Sequence, residues 1–242
     1  MLPHCLHPLV ARATVAPRLM ENETQETLEM RVVSVNVGGP RTVETAGRTV
    51  TTGIWKMPVS GRVRAQGVNL DGDVQVDRQN HGGPHKAIYA YAMEDLAYWE
   101  RHLGRALGPG SFGENLTTCG IDPNTALIGE RWAIGSTILE VSEPRSPCYR
   151  LALRHGDPTL VRAFVAAERP GAYLRIIQPG DIGAGDPIEV LWRPDHDVTI
   201  RLAFQAWLVD RRLVPRLRQA PHLSPAWQRW MDTDPDRPVR CA

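Results

Sequence analysis

Lysine is scarce in this chain of 242 residues, in which Lys56 and Lys86 stand against 26 arginines. Chemistry that begins with a lysine Schiff base therefore has only two candidate amines. Basic and acidic side chains are nearly balanced, 28 against 27, so the chain lacks the basic field that is typical of nucleic-acid binding. Apolar runs are short, and none approaches the ~20 residues of a membrane-spanning helix. We therefore expect neither nucleic acid nor a membrane as a partner.

Cysteine motifs are missing as well. The four cysteines lie at positions 5, 119, 148 and 241, and no two of them form a CxxC motif. This spacing argues against a zinc ribbon, a thioredoxin-like redox motif and a cysteine-ligated iron–sulfur cluster. So few cysteines in a chain of this length also argue against a disulfide scaffold, and they favour a cytoplasmic location.

The first 29 residues differ from the rest of the chain. Prolines at positions 3, 8 and 17 interrupt them, and they lack the continuous apolar segment of a signal peptide. Directly after Met30, residues 31–37 alternate as a first strand does. We therefore expect residues 1–29 to be a disordered N-terminal extension, with a functional arm as the alternative.

Short strands punctuated by glycine and proline dominate the region that follows. Strands are predicted at 31–37, 52–56, 61–69, 86–91, 131–134, 137–142, 172–178 and 186–192. Helices are predicted at 93–103, from Cys148 onward and at 159–168. Many short strands with few helices favour an antiparallel β-barrel or sandwich over residues 30–194.

Residues 195–242 are predicted to form a second unit. Apolar residues recur there at helical spacing in 198–209, 211–219 and 225–232. Helices of about ten residues cannot form a core alone, so we expect them to pack on the β domain or on a partner.

The region around His81 and His85 is the first unusual segment. The two histidines have the i, i+4 spacing of a helical zinc pair, but Gly82, Gly83 and Pro84 between them cannot form a helix interior. The two glycines instead free the backbone, whose N–H groups can then cradle an anion. A tight turn with a hydrogen-bonded histidine is the alternative.

Two further interpretations of this segment are excluded, because each requires residues that the sequence lacks. Asp71, Asp73 and Asp77 resemble a calcium loop, but the required glycine is replaced by Val76 and the final glutamate is missing. The His-Gly-Gly sequence also occurs in esterase oxyanion loops. No G-x-S-x-G nucleophile motif accompanies it here.

Two other segments carry unusual chemistry. Glu114 and Asn115 follow Gly113, and a strand end capped by asparagine is the alternative to a functional role.

The other segment surrounds Cys148. Pro147 holds the chain extended before Cys148, which then opens a helical pattern. A thiol at a helix N-terminus near arginines is expected to have a lowered pKa, roughly 3.5–7.5 at the strong end. Such a thiolate is a soft metal ligand or a nucleophile, and an inert buried cysteine is the alternative.

Three segments taken together, His81-Gly-Gly-Pro-His-Lys-Ala, Phe112-Gly-Glu-Asn-Leu-Thr and Pro144-Arg-Ser-Pro-Cys-Tyr-Arg-Leu, resemble the MOSC domain and its bacterial YiiM-like group. This domain is shared by molybdenum-cofactor sulfurases and amidoxime-reducing proteins. The resemblance covers about residues 31–240. It implies a mainly β fold, a closed β-barrel with a few helices, followed by a small three-helix C-terminal domain.

The resemblance also implies a cofactor and the residues that hold it. The cofactor is the pterin-based molybdenum cofactor, with Cys148 as a catalytic residue and the metal ligand. The cofactor-binding residues that it indicates are Gly82, Gly83, Lys86, Phe112, Asn115, Arg145, Ser146 and Tyr173. His81 is a candidate proton donor, because histidine titrates near neutrality. His85 stands where the family commonly has aspartate, which changes the charge near the pocket.

Relatives in this family remove oxygen from N-hydroxylated compounds, so the resemblance implies reduction of N-hydroxylated purine-type bases or amidoximes to amines. The chain carries no dinucleotide-binding fingerprint, so a separate flavoprotein or haem protein would donate the electrons. The alternatives are a cofactor carrier or sulfur-transfer module with Cys148 as persulfide, and a binding barrel with degenerate motifs. Pyridoxal phosphate, which full sulfurases use in an upstream domain, is not expected here. The oligomeric state stays open, with a dimer among the candidates.

Overall fold

A computed structural model describes residues 29–45, 47–78 and 82–233. The strands are β1 (Arg31–Val37), β2 (Arg41–Thr45), β3 (Arg48–Thr52), β4 (Met57–Pro58), β5 (Arg62–Gln66), β6 (Asn69–Leu70), β7 (Ile88–Ala92), β8 (Leu116–Cys119), β9 (Arg131–Ile134), β10 (Thr137–Pro144), β11 (Ala172–Gln178), β12 (Gly180–Gly183) and β13 (Ile188–Trp192). The helices are α1 (Met93–Leu103), α2 (Tyr149–His155), α3 (Leu160–Ala167), α4 (Ile200–Leu208), α5 (Val214–Leu217) and α6 (Pro225–Met231). Single 3-10 turns lie at Pro84–Lys86 and Arg211–Leu213. The extension predicted for residues 1–29 lies, apart from Glu29, outside the described residues.

The fold is mainly β with a few helices. Eight strands form one sheet in the order β13-β9-β10-β11-β7-β8-β1-β4, and all neighbours are antiparallel except β7 and β8. A three-stranded sheet, β12-β5-β6, contacts β1 and β10 through β12. Strands β2 and β3 form a hairpin of their own. Across the described ranges, no helix is both long and apolar enough to cross a membrane.

The strand order of the large sheet is open among the described residues, so the closed barrel implied by the resemblance is not found. The two sides approach each other at one place. Arg31 forms an isolated antiparallel bridge with Pro187, and the Ile188 N–H donates to the Met30 carbonyl at 2.8 Å. Proline has no N–H to donate in this bridge, and its neighbours supply the hydrogen bonds: the Val32 N–H donates to the Asp186 carbonyl at 2.9 Å.

The C-terminal helices share their core with the sheet. The Thr199 hydroxyl caps α4 by accepting from the Leu202 N–H at 3.0 Å, and α4 contacts β10. Buried Leu217 and Trp227 belong to the same hydrophobic cluster as Trp132 of β9. The C-terminal helices therefore pack on the β domain, as expected for helices too short to form a core alone. That they form a separate three-helix domain, as the resemblance implied, stays a prediction. The boundary at residue 195 stays a prediction.

One predicted strand is wrong in a way that matters for the site. Of residues 52–56, only Thr52 belongs to a strand, the end of β3. The chain then runs as a loop against residues 73–77, where a Cβ on Gly53 would lie 2.8 Å from the Val74 carbonyl oxygen. The threonine, isoleucine and tryptophan of this stretch favour a strand by propensity, but propensity does not register the close backbone contact at Gly53.

An aromatic cluster lies beneath the functional region described next. The Tyr91 hydroxyl accepts from the Trp99 indole N–H at 2.7 Å and donates to the Arg169 carbonyl at 3.0 Å. Phe112 stacks on Tyr91 with ring centres 5.1 Å apart, and Phe164 stacks on Trp99 at 5.9 Å. Large buried aromatic rings contribute strongly to packing, so this cluster fixes β7 and α1 beneath the site.

Candidate functional site

One cleft gathers side chains from distant parts of the chain. Its empty volume is about 660 Å³, part of it open to solvent. Its lining comes from within residues 52–56, 73–77, 86–89, 113–115 and 145–150, and from Tyr173 of β11. The cleft unites parts of all three segments that the sequence singled out.

Cys148 lies in this cleft, with only 1% of its surface exposed. Its backbone is extended, with φ −140° and ψ 171°, and it is the N-cap residue of α2. Pro147 before it favours extended backbone at Ser146, which keeps a helix from starting earlier in the chain. The helix begins at Tyr149, so Cys148 stands at its N-terminus as the sequence predicted.

Arg145 is a buried cation beside the cysteine. Its guanidinium lies 5.2 Å from the ring centre of Tyr89 and 5.8 Å from that of Phe164. Burial lowers its pKa, but its interactions with Tyr89, Tyr173 and Cys148 raise it above the ordinary arginine value. Its Nη1 atom has no hydrogen-bond partner among the described residues. Because an unpaired buried donor is costly, this atom is suited to receive a ligand.

Two tyrosines complete the cysteine end of the cleft. The rings of Tyr89 and Tyr173 are 5.2 Å apart, and the Tyr89 hydroxyl donates to the Pro170 carbonyl at 2.7 Å. Burial raises the pKa of Tyr173 to about 12 and that of Tyr89 well above its ordinary value. Both phenols therefore stay protonated at neutral pH and serve as donors.

Lys86 and the two predicted glycines have different positions. Lys86 lines the cleft and pairs with Glu143 at 3.2 Å. Gly82 and Gly83 are not part of the cleft lining. The Gly83 N–H donates to Gln75 Oε1 at 2.9 Å, with a φ of +93° that favours glycine. The Gly83 N–H is thus already hydrogen-bonded to another residue of the protein.

Asn115 lines the cleft, whereas Phe112 and Ser146 do not. The Asn115 side chain accepts from the Tyr89 N–H at 3.1 Å and donates to Asp73 at 2.9 Å. Phe112 is fully buried in the aromatic cluster. Ser146 is half-buried, and its hydroxyl donates to the neighbouring carbonyl of Pro147 at 3.4 Å.

Of the two histidines in the first segment, His81 lies outside the described residues. His85 does not line the cleft. Its Nδ1 lies 2.8 Å from the hydroxyl of buried Ser142, and burial lowers its pKa. His85 is therefore a half-buried partner of the sheet.

A buried ion pair between Lys56 and Asp73 was missed by sequence analysis. Lys56 is 7% exposed, and both residues line the cleft. Asp73 also accepts from the Gly38 N–H at 2.9 Å. Burial lowers the pKa of Lys56, whereas Asp73 raises it. The scarcity of lysine was the available signal, since both lysines of the chain, Lys56 and Lys86, line this one cleft.

Residues 73–77 form a strap along the cleft, held by side chains at alternate positions. Asp73 pairs with Lys56. The Gln75 amide donates to the carbonyls of Val68 at 2.8 Å and Lys86 at 3.0 Å. Asp77 pairs with Arg150 of α2 at 3.1 Å. The strap thus connects three parts of the cleft wall.

Comparison with known proteins identifies the family. The model of the MOSC domain matches residues 77–189. The protein YflK of Bacillus subtilis strain 168 is 33% identical over 200 residues, which cover 81% of this chain and 90% of YflK. The chain belongs to the MOSC domain family. Cys148 and Arg145 lie within the matched segment, whereas Lys56 and Asp73 precede it.

The MOSC protein is also similar to YiiM, as its motifs predicted. The protein YiiM of Escherichia coli strain K12 is 32% identical over 74% of this chain and 82% of its own length. The crystal structure of YiiM from Geobacillus stearothermophilus superposes with a TM-score of 0.70 at 33% identity, covering 84% of this chain and 97% of that chain. A Gibberella moniliformis protein named "Reductase" is 31% identical over 61% of this chain, which spans only 27% of that protein.

Proposed function

We propose that this MOSC protein is a molybdenum-cofactor-dependent oxidoreductase that reduces N-hydroxylated purine-type bases or amidoximes to amines. The observation that carries the proposal is the position of the Cys148 thiol in one cleft with Nη1 of Arg145, which has no hydrogen-bond partner within the described part of the chain. Cysteine binds metals as the thiolate, and a guanidinium is suited to the oxygens of a phosphate. A cysteine-ligated, phosphate-bearing group needs both.

The residues of the cleft fit such a group. Arg145 offers a buried N–H that is unpaired among the described residues, and Lys86 is a second cation on the same walls. Tyr89 and Tyr173 supply ring faces, and Tyr173 adds a protonated hydroxyl. These residues would hold the pterin and its phosphate, with Cys148 on the metal. When bound, the cofactor supplies two-electron chemistry that no side chain provides.

The reaction converts R–NH–OH, two electrons and two protons into R–NH2 and water. The chain's own part is to hold the substrate in the cleft and to deliver protons there. A separate flavoprotein or haem protein would supply the electrons. The name "Reductase" of the fungal relative supports the reaction class. We place the reaction in the cytoplasm, because a free thiol ligand persists in a reducing compartment.

Metal analysis tests the proposal directly. We expect purified wild-type protein from a cofactor-producing host to contain close to one molybdenum per chain by mass spectrometry, and the Cys148→Ala variant to lose it. Cys119→Ala, which removes the half-buried cysteine of β8, is the matched control and should retain the metal. Absence of molybdenum from the wild type would overturn the proposal.

Turnover then separates an enzyme from a carrier. The wild type, given an N-hydroxylated base and a small chemical reductant, should form the amine with repeated turnover. Bound molybdenum without turnover, together with sulfur released from Cys148 by cyanide, would instead favour the sulfur-transfer alternative.

A further inference from the structure

Lys56 is held in the cleft by a defined set of charged neighbours. It lies in the loop between β3 and β4, and its ammonium pairs with Asp73. Asp73 and the fully buried Glu114 raise the pKa of Lys56, and Arg154 lowers it, but burial is the largest influence and lowers it overall. Asp73 cannot move away easily, because Gly38 and Asn115 also donate to its carboxylate.

Three other groups at the cysteine end of the cleft, Tyr89, Tyr173 and Arg145, retain their protons too strongly to serve as donors. Burial raises the pKa of Tyr173 to about 12, and the pKa of Tyr89 lies well above its ordinary value. Arg145 is permanently charged. A general acid works best when its pKa lies near the operating pH. Lys56 is shifted in that direction and faces the same cleft.

The choice of lysine over arginine supports the same role. The chain uses arginine at 26 of its 28 basic positions, yet position 56 carries lysine. Either side chain could form an ion pair with Asp73, but arginine does not release a proton in proteins. Lysine at this position preserves proton exchange, which a purely structural ion pair does not require.

We propose that Lys56 is the proton donor for cleavage of the N–O bond in the Cys148 cleft. The assignment rests on the proposed function. The Lys56 ammonium gives a proton to the hydroxyl oxygen of R–NH–OH, the N–O bond breaks as two electrons arrive from the redox partner, and water leaves. A second proton, from solvent, completes R–NH2. Neutral Lys56 then regains a proton from solvent beside Asp73.

Chemical rescue tests the role in the cofactor-loaded full-length protein. Lys56→Ala and Lys56→Arg should both retain molybdenum and lower kcat by at least ~100-fold, the usual contribution of general acid catalysis. Added primary amines should restore part of the activity of Lys56→Ala and none of that of Lys56→Arg. Cys148→Ala is the control for unspecific effects, because an amine cannot replace a metal ligand. A Lys56→Arg variant with the wild-type kcat and pH profile would overturn the assignment.

A second measurement needs no turnover. With only two lysines in the chain, acetylation against pH followed by peptide mass spectrometry reports Lys56 separately. We expect Lys56 to titrate below the ordinary lysine pKa, and lower still in Asp73→Asn, because Asp73 raises it. An ordinary titration of Lys56 would overturn the assignment. Wild-type protein that binds molybdenum but reduces no N-hydroxylated compound would instead overturn the proposed function, and this assignment with it.

Discussion

The carboxylate of Glu114 accepts a hydrogen bond from the Phe112 N–H at 2.9 Å, although its side chain is fully buried. It also accepts from the Gly110 N–H and from the Thr117 hydroxyl. Burial raises the pKa of Glu114, while these hydrogen bonds lower it. This single carboxylate therefore shapes the loop that delivers Asn115 to the cleft.

Removing that carboxylate should destabilise the fold. In Glu114→Ala, three donors lose their acceptor in a buried site, and each unpaired group costs about 1–3 kcal/mol. We expect a loss of about 3 kcal/mol or more in the free energy of unfolding, measured with denaturant. Glu189→Ala, at an exposed position of β13, is the matched control and should change it by less than ~0.5 kcal/mol. Equal values for the two variants would contradict this role.

The free energy of unfolding should depend on pH through the titration of His155. Its Nε2 lies 3.0 Å from the Ser111 carbonyl and its Nδ1 2.7 Å from Arg105, so the ring is a neutral donor and acceptor. Burial lowers the pKa of His155 to about 4, against about 6.5 in the unfolded chain. Its stabilisation is thus present above pH 6.5 and is lost as pH falls through about 4.

We expect this loss to be about 2 kcal/mol, with an allowance for partial exposure. Denaturation of the wild type and of His155→Gln between pH 7 and pH 4 measures it, and the variant should lose less stability across the window. His102→Gln, at an exposed position, should follow the wild type. If the free energy of unfolding of His155→Gln falls with pH as steeply as that of the wild type, other groups are responsible for the loss.

Arg145→Met should separate stability from cofactor retention. Replacement of buried ionic groups by well-packed apolar side chains is often neutral or stabilising when no buried opposite charge is left behind, and no carboxylate among the described residues is a main influence on the pKa of Arg145. We therefore expect the cofactor-free variant to melt at an unchanged or higher temperature, while its molybdenum content falls at least ~10-fold. Arg154→Met is the contrasting variant and should melt lower, since Arg154 donates to the Ser111 carbonyl at 2.6 Å and the Ile54 carbonyl at 3.1 Å. Arg145→Met with a full molybdenum content would argue against the proposed cofactor contact.

Cys148→Ser should abolish reduction and leave the fold intact. The substitution removes the soft ligand but changes the side-chain volume little, so the free energy of unfolding should change by less than ~1.5 kcal/mol. Thermal melting and amine formation are the two measurements. A fully active Cys148→Ser variant would refute the assignment of the ligand.

Strongly periodic elements of this fold were predictable from sequence. Strand β1 and helix α1 have the predicted bounds, because alternation and a helical apolar stripe set them locally. The β2–β3 hairpin was missed, since most of its residues are exposed or half-buried and no apolar alternation marks it. Strand β12 was missed because it has only four residues, two of them glycine.

The candidate site likewise has residues that sequence motifs predicted and residues that only the fold reveals. Cys148, Arg145 and Asn115 belong to compact sequence motifs, and the fold brings all three to the cleft. Lys56 and Asp73 lie in separate loops without a motif, so only the folded arrangement of those loops reveals their pairing. The placement of Phe112 in the aromatic cluster was also out of reach, because a motif does not tell which of its residues point inward.

The strap at residues 73–77 constrains how the length of this loop can vary in evolution. Its anchors stand at every second position, so deletion of one residue between Asp73 and Asp77 would place valine where a polar anchor is required. Deletion or insertion of two residues would preserve the alternation. We therefore expect homologous loops to differ in length by even numbers, a pattern that comparison of many natural sequences can reveal.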